Sequence, residues 1–261
     1  MNYVVISDKG GVGKTTFAIQ VLAPYLYKKL GTSIPFYMAD ENNRDAIVYT
    51  KSEVLKCDDV SYNYLKSSNS DFFKFLSAED HAIIDVGCVA CEKFLKELQE
   101  NCIGEEDNFT FFIPTLSDTQ SVTNAIKTYL NLQKISENFK TCFVLSQAED
   151  LKDVEVKIQF HRFFDYKLDL KKNYICVPES ELFADSRDYK MTVFEIAKLA
   201  EKASENYKKL VKENRNLPRE EFLEKTSSAY DNKIFSARCK VLVENELAKT
   251  FEQLDKELGG K

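Results

Sequence analysis

Residues 8–16, DKGGVGKTT, follow the apolar run NYVVIS at 2–7 and precede a segment with helical character. The chain has only eight glycines in 261 residues, and three of them fall in this loop. Glycine lacks Cβ, so a glycine-rich loop can turn its backbone N–H groups inward around an anion. The common phosphate-loop pattern G-x-x-x-x-G-K-[ST] requires glycine at position 8, where Asp8 stands. The loop is instead the K-G-G-x-G-K-[ST] variant, which carries a second lysine, Lys9.

The residue types of this loop predict that it binds phosphate groups. The N-terminus of the helix that starts near Thr15 adds a positive dipole. Lys14 is expected to reach the β- and γ-phosphates of a nucleotide, and the Thr15 hydroxyl is expected to ligate Mg²⁺. The loop residues predicted to hold the nucleotide are Gly10, Gly11, Val12, Gly13, Lys14, Thr15 and Thr16.

Composition and charge narrow the class of protein. With 44% hydrophobic and 30% charged residues, the chain is expected to be soluble and globular. A net charge of −6 argues against a protein that coats nucleic acid through bulk charge. Seven cysteines, an odd and scattered set, indicate a reducing cytoplasm rather than a disulfide framework. We find no signal peptide and no apolar run near the ~18 residues that a membrane span needs.

The alternation of short apolar runs with helical patterns predicts an α/β fold, a doubly wound and mainly parallel sheet flanked by helices. Strands are predicted at 2–7, 34–39, 81–86, 109–114, 141–146 and 173–177, and helices at 15–30, 91–101, 119–136 and 151–163. Pro24 is expected to kink or shorten the first helix. Long polar helices are predicted at 191–216 and 219–258. We therefore expect a domain at residues 1–200 and a helical C-terminal extension at 201–261, packed on the same domain.

On the residues of its loop, the chain resembles the ParA/MinD family of deviant Walker A ATPases, and the likeness extends over roughly residues 1–200. The resemblance implies a P-loop fold, ATP and Mg²⁺ as cofactors, and an ATP-dependent sandwich homodimer. In such a dimer Lys9 would cross to the phosphates bound by the other subunit, where its charge would stabilise the transition state. The resemblance assigns catalytic roles to Lys9, Lys14 and Asp40.

The acidic residues that the resemblance places at strand ends are only partly present. The family has D-x-D after its second strand, whereas residues 39–43 here are ADENN. Either Asp40 matches the first acid and Asn42 replaces the second, or Asp40 is the second acid and Met38 replaces the first. Because asparagine is a poor base, hydrolysis is expected to be slow until a partner completes the site. An ordinary Asn/Asp turn after a strand is the alternative for residues 41–43.

Residues 81–87, HAIIDVG, match a Walker B strand that ends in an acid. Asp85 is expected to hold Mg²⁺ through water, and Gly87 to let the backbone approach the γ-phosphate. The expected metal ligands are Thr15, Asp40 and Asp85.

Two later strand ends resemble the family's adenine pocket. Ser146 and Gln147 occupy the place where an asparagine commonly reads the base, and serine is a departure there. The segment that ends in Pro178 and Glu179, followed by Ala184 and residues 189–195, resembles the last strand and the loop beside the base. A plain strand that ends at a proline is the alternative for this segment.

Two cysteines, Cys88 and Cys91, directly follow the Walker B strand. A symmetric dimer that brings two such pairs together would suit an iron–sulfur cluster. A single C-x-x-C is more often a pair of small buried residues, and this is the expectation here. The two histidines, His81 and His161, receive no role.

Basic residues near the C-terminus suggest a DNA-binding face, as in ParA-like dimers. Lys198, Lys202, Lys209 and Lys212 are expected to share one face of helix 191–216, joined by Lys208, Arg215 and Arg219. The interspersed acids Glu201, Glu205 and Glu213 favour the alternative, a solvated helix face. The final helix has an apolar face, but its acidic residues disfavour anionic lipid, so no membrane contact is expected.

These patterns predict a Mg-ATP-dependent dimerising switch ATPase of ParA type. Its setting would be plasmid or chromosome partition, or DNA transfer, with a ParB-like or relaxosome protein as partner. The alternatives are a MinD-like positioning ATPase, a nucleotide-binding switch with little hydrolysis, and an iron–sulfur or metabolic enzyme on the same fold.

Overall fold

The computed structural model describes residues 1–39, 45–57, 81–100, 109–166 and 173–259, and its strands form a single seven-stranded sheet. The strands are β1 (Asn2–Ile6), β2 (Ile34–Ala39), β3 (Leu55–Cys57), β4 (Ile83–Val86), β5 (Phe109–Thr115), β6 (Lys140–Ala148) and β7 (Tyr174–Pro178). Their order is β3-β2-β4-β1-β5-β6-β7, and every neighbouring pair is parallel. This confirms the predicted α/β fold with a parallel sheet.

Helices cover both faces of the sheet. They are α1 (Lys14–Phe17), α2 (Ala23–Leu30), α3 (Cys88–Glu100), α4 (Thr119–Ile135), α5 (Asp153–Gln159), α6 (His161–Phe164), α7 (Leu182–Tyr189), α8 (Val193–Lys198), α9 (Ala200–Asn214), α10 (Arg219–Leu242) and α11 (Ala248–Leu258). No helix among the residues described is both long and apolar enough to cross a bilayer.

The central strand β1 shows why the strands have continuous apolar sequences. Tyr3 and Val5 lie in one buried cluster, with α2, α8, α10 and α11. Val4 and Ile6 lie in a second cluster, with α3, α4 and α6, on the opposite face. Since successive side chains of a strand point to opposite faces, a strand covered on both sides can be apolar at consecutive positions, as Tyr3 to Ile6 are.

The six predicted strands are confirmed, with ends that differ by at most two residues. The seventh, β3, is a three-residue strand and was not predicted. Four predicted helices are interrupted, and those predicted at 15–30 and 219–258 contain π-helical turns, Ala18–Leu22 and Val243–Leu247. The helix expected at 151–163 divides at Phe160, and the helix expected at 191–216 divides at Leu199 into α8 and α9. Lys198 is therefore the last residue of α8, whereas Lys202, Lys209 and Lys212, which were expected to share its face, lie on α9.

The helix after the loop is not regular throughout. A π-helical turn, Ala18–Leu22, separates α1 from α2, and Pro24 lies in the first turn of α2. Proline has no N–H to donate inside a helix and tolerates the first turn. The regular α-helix thus begins again at Ala23, as the expected shortening implied.

The last helix, α11, packs against β7, which is an edge strand of the sheet. Gln253 Oε1 accepts a hydrogen bond from Cys176 N–H at 2.7 Å, and the Thr250 hydroxyl donates to Cys176 C=O at 2.8 Å. Phe251 packs on Tyr25 with ring centroids 5.8 Å apart. Side chains of α11 therefore form hydrogen bonds with backbone groups that a free sheet edge would expose.

A buried carboxylate, Glu195, joins the start of α8 to the segment before β3. Its oxygens accept hydrogen bonds from Thr192 N–H at 2.9 Å, Ser52 hydroxyl at 2.8 Å and Glu53 N–H at 2.6 Å. Thr192 and Glu195 also form a capping box at the N-terminus of α8.

We expect Glu195→Ala to lower the free energy of unfolding by about 2–4 kcal/mol, because it leaves buried hydrogen-bond donors without an acceptor. Glu201→Ala is the matched control, since Glu201 is 86% exposed and forms an ion pair with Lys240 at the surface. Its effect should stay within about 0.5 kcal/mol. Denaturant unfolding of both variants measures the difference, and equal losses would contradict this role of Glu195.

Candidate functional site

The loop between β1 and α1 has the backbone of a phosphate cradle. Gly11 and Gly13 have φ angles of +75° and +84°, a left-handed region that favours glycine. Gly13 is the N-cap of α1, and its carbonyl accepts the N–H of Phe17 at 2.8 Å. The N–H groups of a helix start are thus presented at the loop, where an anion is favoured.

Close packing also requires glycine at position 13. A Cβ there would lie 3.3 Å from Ser146 Oγ and 3.4 Å from Ser146 Cβ. Gly11 has open space around it, and a Cβ at Gly10 would meet Cys88 Sγ at an ordinary 3.7 Å. The end of β6 is therefore in direct contact with the phosphate loop.

The loop lysine Lys14 lies inside the loop rather than in solvent. It is 9% exposed, and its Nζ donates to the backbone carbonyl of Lys9 at 2.8 Å. Val12, between the two flanking glycines, is 1% exposed and anchors the loop in the protein. An ammonium held at the loop by a backbone carbonyl is placed to meet phosphate oxygens.

Thr15 and Asp85, two predicted metal ligands, are in contact. The Thr15 hydroxyl donates to Asp85 Oδ2 at 2.6 Å. Asp85 is 5% exposed in β4, paired with Val5 of β1 on one side and Met38 of β2 on the other. A hydroxyl and a carboxylate together are oxygen donors of the kind that Mg²⁺ prefers, so the residues present fit this ion.

The second loop lysine, Lys9, is held by the start of α4. Its Nζ lies 3.1 Å from Asp118 Oδ1 and 2.8 Å from Ser121 Oγ. Hydrogen bonds from the Ser121 hydroxyl and N–H, and then from Lys9, lower the pKa of the Asp118 carboxyl to about 2. Asp8, the residue that replaces the usual glycine, pairs with Lys127 of the same helix at 3.2 Å. The two charged residues at the start of the variant loop, Asp8 and Lys9, therefore contact the N-terminal half of α4 and its N-cap.

A cavity of about 360 Å³ opens beside the loop. Predicted site residues lie on its wall from three parts of the chain: Gly13, Thr15 and Thr16 from the loop and α1, Ser146 and Gln147 from β6, and Pro178 and Glu179 from the end of β7. The ends of β6 and β7 are joined here, since Glu179 N–H donates to Ala148 C=O at 3.0 Å. Gln147 has a φ of +60°, and its carbonyl accepts from Gln159 Nε2 at 2.8 Å.

The remaining predicted residues lie on other sides of the loop or outside the described chain. Gly87 follows β4, and its N–H donates to Ala39 C=O at 3.2 Å, which joins the ends of β4 and β2. Asp40 and the rest of the ADENN segment that follows Ala39 lie outside the described residues. Ala184 lines the cavity, whereas Glu195 has the structural role given above.

Several cavity residues were not predicted. They are Gln20, Tyr49, Glu181 and Arg187, among others. Arg187 is the one lysine or arginine on this wall within the described chain, and it belongs to the short helix α7. Gln20 is buried, donates to Tyr49 and Ser186 at 2.8 Å each, and accepts from Val193 N–H at 2.9 Å. Because these residues are distant in sequence and follow no motif, pattern reasoning had no signal for them.

The C-x-x-C pair begins α3, beneath the loop. Cys91 is 2% exposed, and burial raises the pKa of its thiol to about 12. Across the residues that the structure describes, no group of three or more His, Cys, Asp or Glu side chains is arranged to hold a metal ion.

A parallel sheet whose central strand leads through a glycine loop into a helix is a P-loop NTPase-like fold. No protein-family model and no curated protein matches the chain.

Solved structures that are similar to the chain at low identity include the following. The MinD cell division protein of Aquifex aeolicus is 18% identical, with a TM-score of 0.48 over 74% of this chain and 88% of that one. The MinC:MinD complex of Aquifex aeolicus gives 16% identity and a TM-score of 0.45, over 74% and 87%. A protein described as a plasmid partition protein of Borrelia burgdorferi, bound to AMPPNP, gives 14% and 0.47, over 72% and 88%. Identities and TM-scores this low do not support a function, so any functional proposal depends on this chain's own loop and cavity.

We expect Gly13→Ala to weaken nucleotide binding and to lower thermal stability more than Gly31→Ala does. Both positions have positive φ, +84° and +72°, but only Gly13 would bring its Cβ against Ser146. Gly31→Ala therefore reports the backbone strain alone, about 1–2 kcal/mol.

Adding Ser146→Gly to Gly13→Ala should restore part of the stability, because it removes both contacting atoms. Thermal unfolding and the fluorescence of a labelled ATP analogue measure the two effects. If Gly13→Ala and Gly31→Ala lose the same stability and Ser146→Gly restores nothing, the close contact is not the constraint.

Proposed function

We propose that this protein is a Mg-ATP-dependent switch ATPase of the ParA/MinD type, in which bound ATP joins two copies of the chain. The observation that carries the proposal is the loop itself. Its left-handed glycines lead into α1, Lys14 lies within it, and Thr15 contacts Asp85 at 2.6 Å beside the 360 Å³ cavity.

Phosphate binding follows from the donors of the loop. Backbone N–H groups at the start of α1 and the ammonium of Lys14 supply positive charge around one small volume. Lys14 now donates to the carbonyl of Lys9, and phosphate oxygens would be stronger acceptors for it.

Thr15 and Asp85 would hold Mg²⁺, with Asp40 as the further ligand that the family resemblance suggests. Bound there, the ion would neutralise phosphate charge. The hydroxyl of Thr15 and the carboxylate of Asp85 orient one another through their hydrogen bond, so the pair is set before an ion arrives.

The cavity is the proposed base and ribose site. Its volume of about 360 Å³ falls in the usual range of ligand pockets, roughly 300–1,000 Å³. Ser146, Gln147, Pro178 and Glu179 would surround the base. We assign ATP rather than GTP from the family resemblance.

Lys9 is the proposed link between subunits. In the single chain it is held by Asp118 and Ser121 at the start of α4. The Lys9 and Asp118 side chains are 23% and 49% exposed, and a pair this exposed contributes no more than about 1 kcal/mol. Phosphates presented by a second subunit would compete with it readily, so Lys9 is free to change partners.

Hydrolysis is proposed to be slow, because the segment at 39–43 has one acid fewer than the family's motif. A ParB-like or relaxosome protein would complete the site and stimulate turnover, in plasmid or chromosome partition or in DNA transfer within the cytoplasm. Exposed basic residues of α9, with Lys208, Lys209 and Lys212 at their centre, are the proposed nonspecific DNA contact.

Thr15→Val should abolish the Mg²⁺-dependent gain in nucleotide affinity, because it removes the hydroxyl and keeps the shape. We expect a loss of at least about 10-fold, while Thr15→Ser stays within about 3-fold of the wild type. Titration of labelled ATP with Mg²⁺ and with EDTA measures this. The same Mg²⁺ dependence in Thr15→Val and wild type would remove Thr15 from the metal site.

Lys9→Ala should keep nucleotide binding and lose the increase in association that AMPPNP and Mg²⁺ cause. Lys127→Ala is the matched control, since it removes the other ion pair between the loop and α4, at 3.2 Å. Sedimentation velocity with and without AMPPNP measures association. The dimer proposal fails if the wild type shows no nucleotide-dependent increase, or if Lys9→Ala keeps it.

A further inference from the structure

The long helix α10 carries an apolar stripe that stays exposed in the described chain, although α9 contacts it at Tyr230. Leu223 and Tyr230 are each 47% exposed, Ile234 is 39% exposed and Val241 is 56% exposed. The opposite side of α10 packs on the protein through its buried residues, Thr226, Ala229, Phe235, Ser236, Cys239 and Leu242.

The four exposed residues form a straight line. At about 100° per residue, positions 223, 230, 234 and 241 fall within about 20° of one line along the helix. That line is about 27 Å long at 1.5 Å per residue. Tyr230 is held in place by Tyr207 of α9, with ring centroids 5.4 Å apart, so the stripe lies on a helix pair rather than on one free helix.

We propose that this stripe binds the same stripe of a second copy of the chain, with the two α10 helices antiparallel. The pattern reads the same in both directions about position 232. Leu223 and Val241 lie nine residues to either side, and Tyr230 and Ile234 lie two residues to either side. An antiparallel pair with its twofold axis there places Leu223 beside the partner's Val241 and Tyr230 beside the partner's Ile234.

The small exposed residues follow the same symmetry. Ser227 and Ala237 lie five residues to either side of position 232, about 40° from the line. Small side chains between the large ones let two helices approach closely, as ridges pack into grooves.

Charges beside the stripe favour the antiparallel arrangement. Glu224 and Arg238 lie on the same side of the line, eight residues before and six residues after position 232. In the antiparallel pair, Arg238 therefore comes within about 3 Å, along the axis, of the partner's Glu224, and this contact occurs twice. In a parallel pair the same two positions are separated by about 21 Å along the axis. The two Asp231 carboxylates lie on this same side of the line, about 3 Å apart along the axis near the twofold. Their repulsion opposes the pair and is weakened by salt.

The expected interface is weak. One helix face of this length buries on the order of 1,000 Å² in total, which is at the low end for specific protein pairs. We therefore expect a reversible dimer with a dissociation constant in the micromolar range. This inference does not rest on the proposed function, because it requires no nucleotide.

The experiment uses the full chain without nucleotide, studied by sedimentation velocity from about 1 to 100 µM. The wild type should dimerise over this range, and Ile234→Asp should remain monomeric. The matched control is Val154→Asp on α5, a site that is also exposed (65%) but lies away from the stripe, and this variant should dimerise like the wild type. Circular dichroism and thermal unfolding establish that Ile234→Asp is folded.

Charge reversal tests the direction of the helices. Arg238→Glu and Glu224→Arg should each weaken dimerisation by about 5-fold or more, and the double variant should return to within about 2-fold of the wild type. Ile234→Asp should still gain association with AMPPNP, whereas Lys9→Ala should still dimerise without it. A wild type that stays monomeric at the highest concentration, an unchanged Ile234→Asp dimer, or a double variant that is not restored overturns the inference.

Discussion

The parallel alignment of the strands is the constraint on which the candidate site depends. Parallel strands all end at the same edge of a sheet, so groups that are far apart in sequence meet there. The end of β1 leads into the phosphate loop, β4 brings Asp85, and β6 and β7 bring Ser146 and Pro178. A change in the order of these strands would separate Thr15 from Asp85, although each strand would keep its own sequence.

Two ion pairs connect the phosphate loop to α4 and its N-cap. Asp8 and Lys9 are neighbours in sequence, and each pairs with an oppositely charged residue of the segment at 118–127. A strict phosphate loop would have glycine in place of Asp8 and so would lack one of these pairs. The position of α4 and the conformation of the loop are therefore linked through these two ion pairs. Bonds to a nucleotide could replace them.

Local sequence sufficed for those features that local physics determines. The largely apolar run at residues 2–7 predicted the central strand β1, because burial on both faces favours apolar side chains at successive positions. The glycine cluster predicted the loop, because only glycine adopts the φ angles found at Gly11 and Gly13 without strain.

Features that depend on distant contacts could not be predicted in this way. Lys9 meets Asp118 across 109 positions, and no pattern marks that pairing. The interruptions at Phe160 and Leu199 are absent from the helical periodicity, since both residues are apolar and fit a continuous helix. The strand β3 is too short to be distinguished from a loop. Arg187 lines the cavity from the short helix α7, which no motif marks.

The packing of α11 on β7 has a consequence for how the protein can be made and handled. The side chains of Thr250 and Gln253 form hydrogen bonds with the carbonyl and the amide of Cys176 at the sheet edge. A chain shortened before Thr250 would leave these two backbone groups of the apolar strand Tyr174–Pro178 without their side-chain partners. Exposed strands of this kind can associate edge to edge, so we expect the last helix to protect the protein against aggregation.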